Sequence, residues 1–107
     1  MDLGLKDKVA FITGASRGIG KGIAVSLARE GCKVALTATR ADLLAAVSQE
    51  IEVSFGVEVA WWTGDLLKSE DAKRVVDAAA AHFGRIDIVV NNAGAAPGGV
   101  LDTLSDE

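Results

Sequence analysis

The sequence predicts a doubly wound α/β fold with a parallel sheet, in strand order 3-2-1-4 for the part of the sheet this chain supplies. Three observations predict it. Short, nearly all-apolar runs alternate with segments whose apolar residues recur every three to four positions, the pattern of strands buried on both faces between helices. Each helical segment closes on a glycine, Gly31, Gly56 or Gly84, where a left-handed cap ends a helix. Gly14, Gly18 and Gly20 fill the first strand-to-helix turn. Successive βαβ units have right-handed crossovers, so the first strand lies inside the sheet and the order reverses between strands one and four.

Val9 to Thr13 is too continuously apolar for a sheet with one wet face and is expected as the central first strand. The helix after the glycine turn carries Ile19, Ile23 and Leu27 at four-residue steps, with Ala24 and Ala28 beside them, and ends near Glu30. Lys33 to Thr39 is the second strand. Ala41 to about Phe55 is the second helix, with Leu44, Val47, Ile51 and Phe55 along one face. Val57 to Trp62 makes the third strand, on which the adjacent Trp61 and Trp62 point to opposite faces, at least one of them under a helix or at a subunit contact. Ser69 is expected as the N-cap of the third helix, with Glu70 and Asp71 complementing the dipole in its first turn. That helix runs to about Phe83 with Ala72, Val75, Val76, Ala79 and Phe83 as its core stripe; His82, near its end, reads as a dipole-complementing or partly exposed histidine. Ile86 to Val90 is the fourth strand, and it delivers Asn91.

A chain of 107 residues holds one domain at most, and with half its residues apolar and 24% charged it has globular composition. A net charge of −4 argues against a nucleic-acid partner, whose affinity would come from clustered Lys and Arg. The opening residues lack an apolar signal core, and no segment has the length to cross a bilayer, so a cytosolic protein is expected. Cys32 is the single cysteine, which leaves no internal disulfide and favours structural burial. One histidine and one cysteine give zinc no ligand cluster, and no metal is expected.

The run Thr13-Gly14-Ala15-Ser16-Arg17-Gly18-Ile19-Gly20 reads as a phosphate-holding turn. Gly14 turns the chain out of the strand, Gly18 lets the backbone approach an anion, and Gly20 lets the helix pack close to the sheet. A pyrophosphate there satisfies the unpaired first N–H groups of the helix and its positive dipole end. Three rival readings fit the stretch less well. Gly14-Ala15-Ser16-Arg17-Gly18 matches a hydrolase nucleophile elbow with Ser16 as nucleophile, but only one strand precedes it and His82 is the sole candidate base. A triphosphatase loop ending in Gly20-Lys21 has Gly22 where its magnesium-binding hydroxyl should stand. The third is a tight turn without a ligand, against which three glycines in seven residues argue.

The Thr-Gly-x-x-x-Gly-x-Gly spacing resembles the cofactor loop of the short-chain dehydrogenase/reductase family, and Asn91-Asn92-Ala93-Gly94 is similar to its second signature. The resemblance covers essentially the whole chain and implies a Rossmann-type fold and hydride transfer between NAD(P)H and an alcohol or ketone. It implies that Gly14, Ser16, Arg17 and Ile19 line the pyrophosphate and adenosine ribose, that Asp65 and Leu66 hold the adenine, and that Asn92, Ala93 and Gly94 back the ribose. The loop is most similar to bacterial β-ketoacyl-acyl-carrier-protein reductases. The family's catalytic serine, tyrosine and lysine fall beyond this length. The chain contains no tyrosine, so no catalytic residue is assigned. Ser105 announces a helix at the chain's end, and the expectation is the cofactor-binding N-terminal half of a longer oxidoreductase, the alternative being a dinucleotide-binding module that catalyses nothing itself. The resemblance further implies a small carbonyl or alcohol substrate and a homo-oligomer for the parent protein.

Cofactor choice is read from the end of the second strand. NAD-selective folds place an acid there for the ribose 2′-OH, whereas Ala38 and Thr39 occupy that end here, Arg40 follows, and Arg17 can reach across from the loop. With no acid competing, two arginines suited to phosphate predict NADP(H).

Overall fold

In the computed structural model of the chain, which describes residues 4–92, strands and helices alternate as β1 (Val9–Thr13), α1 (Gly18–Arg29), β2 (Lys33–Ala38), α2 (Ala41–Phe55), β3 (Val59–Thr63), α3 (Ser69–Phe83) and β4 (Ile88–Val90). All three strand pairings are parallel, and the order is β3-β2-β1-β4. Every residue of β1 is buried, as its unbroken apolar run demands.

Two apolar layers sandwich the sheet. On one face Ala10, Ile12, Val34 and Leu36 meet Ala24 and Ala28 of α1 and Leu44, Val47 and Ile51 of α2. On the other, Phe11 and Ala35 lie under Val75 and Ala79 of α3. Trp61 packs against the first layer and Trp62 against the second, the opposite-face placement that strand alternation requires. The buried line of α1 consists of Gly20, Ala24 and Ala28, small residues at four-residue steps that let the helix backbone approach the sheet. Ile19, expected on that stripe, is instead 57% exposed, because Gly20 takes the core-facing position in the first turn.

Both Gly56 (φ 68°) and Gly84 (φ 80°) are left-handed caps whose N–H groups bond back to the Glu52 and Ala80 carbonyls. At the third helix the expected cap moves by one residue. Lys68 has the extended cap conformation, without a side-chain cap bond, and Ser69 is the first helical residue. His82 Nε2 lies 2.9 Å from Glu58 Oε2, and its ring packs edge-on to Trp62 and Phe83. Cys32 is buried, its Sγ–H directed at the Leu5 carbonyl at 3.4 Å, and burial pushes its thiol pKa up.

The strand bounds shift by small amounts. β3 covers Val59 to Thr63 in place of Val57 to Trp62, and β2 stops at Ala38, leaving Thr39 outside it. β4 starts two residues later than its apolar run suggests, because Asp87 makes its pairing with a side chain. The Asp87 N–H donates to the Val9 carbonyl at 2.9 Å, while its Oδ2 accepts the Val9 N–H at 2.8 Å. The Arg85 guanidinium grips the same carboxylate through Nε and Nη2 at 2.7 to 3.1 Å. These bonds, first the one from Arg85 and then the one from Val9, hold the Asp87 carboxyl below its ordinary pKa. A depressed pKa gives stability that is present above the unfolded value and disappears as pH falls through the folded one. In the full-length protein, Asp87→Asn should therefore melt several degrees below wild type near neutral pH, and the gap should close below about pH 4. Thermal melts across that range check it; a gap independent of pH would remove the charge from the explanation.

Candidate functional site

The carboxyl ends of β1 and β4 are tied together where the strand order reverses. Thr13, the last residue of β1, directs its hydroxyl at the Val90 carbonyl (3.3 Å) and Asn91 Oδ1 (3.2 Å) and accepts the Asn92 N–H. Asn92 Nδ2 donates to the Gly14 carbonyl at 3.3 Å. The two sequence signatures therefore form one hydrogen-bonded unit with Thr13 as its latch. Sequence reasoning gave Thr13 no such role; its position directly across from the Asn-Asn pair was the available signal.

Between them the glycine turn is shaped by two requirements. Gly14 and Gly18 have φ of 61° and 64°, which only glycine adopts freely. Gly20 has helical geometry but no room for a side chain: a Cβ there would run into the Gly14 carbonyl oxygen and lie 2.7 Å from Asn92 Nδ2. No atom among the described residues approaches Gly18 in the same way, so the side of the turn that faces away from the helix stays open.

Beside the turn lies a cleft of about 600 Å³ whose walls include Gly14, Ser16, Arg17, Thr39, Asp65, Leu66 and Asn92, all candidates from the sequence. Gly18, Ile19 and Gly20 form the adjoining turn and first helical residues. Ala93 and Gly94 lie outside the described residues. The Asp65-Leu66 wall is pinned by α3: the Asp65 N–H donates to Asp71 Oδ2 at 2.9 Å, and Asp65 Oδ1 accepts the Leu67 N–H at 3.0 Å. Gly64 makes this close approach possible, since a Cβ on it would sit 3.0 Å from Val75 Cγ2.

The charge pattern of the cleft favours an anion. α2 and α3 carry Asp42 and Glu70 with Asp71 in their first turns, whereas α1 has no acid in its first turn; none of the three has a side-chain cap bond. The positive end of α1 is left unneutralised at the glycine turn. Among the described residues the Arg17 side chain has no hydrogen-bond or ion-pair partner, and Arg17 is exposed. Thr37 Oγ1, buried in a cleft-wall residue, has no hydrogen-bond partner among the described residues. A glycine cradle, free N–H groups, a free guanidinium and an orphaned hydroxyl fit a dinucleotide with its pyrophosphate at α1.

Arg40 corrects an expectation. It stands at the cap of α2 outside the cleft wall, and an acid does compete for it: Nε and Nη2 bond Asp42 Oδ1 and Oδ2 at 3.0 and 2.7 Å. The Asp42 carboxylate raises the Arg40 pKa, and Arg40 in turn lowers that of Asp42. The elbow reading of Ser16 also fails. His82 pairs with Glu58 just before β3, at the amino edge of the sheet, while Ser16 follows β1 at the carboxyl edge, roughly 16 Å away along a five-residue strand. A second cleft of about 680 Å³ lies at that amino edge, but its Lys6, Arg29 and Lys33 are offset by Asp7, Glu30 and Glu58, and no helix N-terminus opens into it.

A family model described as short chain dehydrogenase matches residues 8–107. An uncharacterized oxidoreductase of Listeria innocua is 39% identical over 103 residues, covering 96% of this chain and 41% of the relative. The chain thus spans about two fifths of the length of that relative. L-Sorbose reductase from Gluconobacter frateurii, complexed with NADPH and L-sorbose, superposes with a TM-score of 0.85 at 41% identity over 88% of this chain and 36% of that one. NAD+-bound xylitol dehydrogenase gives 0.81 at 33% identity over 84% of this chain and 34% of its own. A sheet in the order 3-2-1-4, the glycine turn latched to the Asn-Asn pair, and these matches place one conclusion beyond the fold: the chain belongs to the short chain dehydrogenase family.

Proposed function

We propose that this chain supplies the dinucleotide-binding half of a cytosolic, homo-oligomeric oxidoreductase that moves hydride between NADP(H) and a small alcohol or ketone. The observation that carries it is the uncapped, acid-free N-terminus of α1 at a glycine turn, opening into the same cleft as Arg17 and the Asp65-Leu66 wall. The bound nicotinamide supplies the hydride. The N–H groups at Gly18 to Gly20 hold the pyrophosphate, Gly14 and Ser16 line the adenosine ribose, and Asp65 with Leu66 flank the adenine. Asn92, Ala93 and Gly94 back the ribose, and the Thr13 latch keeps Asn92 in register with the turn. Relatives of known structure carry NADPH or NAD+, which supports a nicotinamide dinucleotide as the ligand. The preference for NADP(H) rests on Arg17 and on the absence of acid from Thr37, Ala38 and Thr39. Among the described residues no helix is long and apolar enough to cross a membrane.

The test is calorimetric titration of the full-length protein with NADPH and NADH. A charge-assisted hydrogen bond contributes about 1.5–3 kcal/mol, so Arg17→Ala should weaken NADPH by roughly 10- to 100-fold and NADH far less. Arg40→Asp should move the preference in the same direction by a smaller factor, since Asp42 already occupies that guanidinium. An unaltered preference in Arg17→Ala would overturn the NADP(H) assignment.

A further inference from the structure

We propose that Asp42 sets the strength of the chain's preference for a 2′-phosphate by holding the Arg40 guanidinium in competition with it. The inference rests on the reading above, that the cleft takes a nicotinamide dinucleotide. Arg40 directly follows Thr39, the cleft-wall residue just past the end of β2, and so is the cation next in sequence to the strand end that faces a ribose 2′-substituent in folds of this kind. One edge of its planar guanidinium is engaged bidentately, Nε to Oδ1 at 3.0 Å and Nη2 to Oδ2 at 2.7 Å. A carboxylate and a phosphate present the same pair of acceptor oxygens to a guanidinium, so the two compete for one fork. Asp42 is well placed to keep it, because the first turn of α2 favours a negative charge at that position. Arg17 faces the cleft with no such partner among the described residues.

The competition is moderate in size. Both side chains are more than 60% exposed, so the pair is screened by water and opens readily. Asp42 thus lowers the affinity for a 2′-phosphate without abolishing it, and does so through Arg40. It is not itself one of the cleft-wall residues and acts as a positioning residue.

Titration of the full-length protein with NADPH, NADH, 2′,5′-ADP and 5′-AMP tests this. Asp42→Asn, and Asp42→Ala where no acceptor remains, should tighten NADPH and 2′,5′-ADP about two- to fivefold and leave NADH and 5′-AMP unchanged. In an Arg40→Gln background the gain should vanish, because the coupling runs through Arg40. Melting temperatures of the variants are read alongside, since a loss of folding would weaken all four ligands together. The proposal is overturned if 2′-phosphate ligands do not tighten, if NADH tightens equally, or if the gain persists with Arg40→Gln, which would mean direct repulsion by the carboxylate. Failure of wild type to bind either dinucleotide would overturn the underlying reading, and this inference with it, and is distinct from each of those results.

Discussion

Replacing Gly20 by alanine is expected to cost the protein about 3 kcal/mol or more, a large fraction of the stability of an ordinary domain. The new methyl group would collide with a backbone oxygen, that of Gly14, which cannot swing aside like the end of a flexible side chain. Gly14 is fixed on one side by β1 and by the Ala15 N–H bonded to the Thr37 carbonyl at 3.2 Å, and its own oxygen accepts from Asn92 Nδ2. Relief of the clash therefore requires α1 to lift from the sheet, and with it Ala24 and Ala28 from the larger core layer. Gly18→Ala separates this effect from a general intolerance of the loop. No described atom stands near its Cβ, so its cost is the left-handed conformation alone, about 1–2 kcal/mol. Urea melts of the full-length protein with each substitution give the comparison. A Gly20→Ala variant as stable as Gly18→Ala would show that α1 is held less closely than the packing indicates.

Backbone demands were the most legible part of the sequence. The left-handed glycines, the buried central strand and the opposite faces of Trp61 and Trp62 all follow from rules that act over a few residues, and the structure has each of them. Sheet order followed from chain connectivity, since right-handed crossovers leave few alternatives. Side-chain partnerships were less legible. Ser69 has the chemistry of a cap, but Lys68 takes the cap position, a shift of one residue at a helix end, where local signals are least decisive. Asp87 sits in an apolar run and looks like a strand residue until its carboxylate is seen substituting for a strand carbonyl. Arg40 looks free for a phosphate when only the strand end is considered; the competing acid lies two residues later, on the first turn of a helix.

Residues 1–107 produced alone are expected to self-associate through the β4 side of the sheet. β4 pairs with β1 only, and among the described residues its other edge has no strand beside it. Next to that edge lies an apolar groove of about 290 Å³ that includes Phe11, Leu66, Leu67, Val76 and Val89. Leu67 is 77% exposed, Val76 40% and Val89 46%, three of the five large apolar side chains left in water among the described residues. Unpaired strand groups beside aliphatic side chains form a template for another chain. At about 25 cal/mol per Å², some 200 Å² of apolar surface left wet forgoes roughly 5 kcal/mol, comparable to the whole stability of a small domain. The relatives have more than twice this chain's length with which to cover such a surface. Size-exclusion chromatography with light scattering should therefore show dimers or larger species at micromolar concentration, with a broad melt and weak dinucleotide binding. Val89→Lys places a charge on the exposed middle of β4, the device natural edge strands use against pairing, and should shift the population toward monomer. A wild-type 1–107 chain that is monomeric and melts cooperatively would show that the four-stranded sheet is self-sufficient, and the exposed groove would then need no cover.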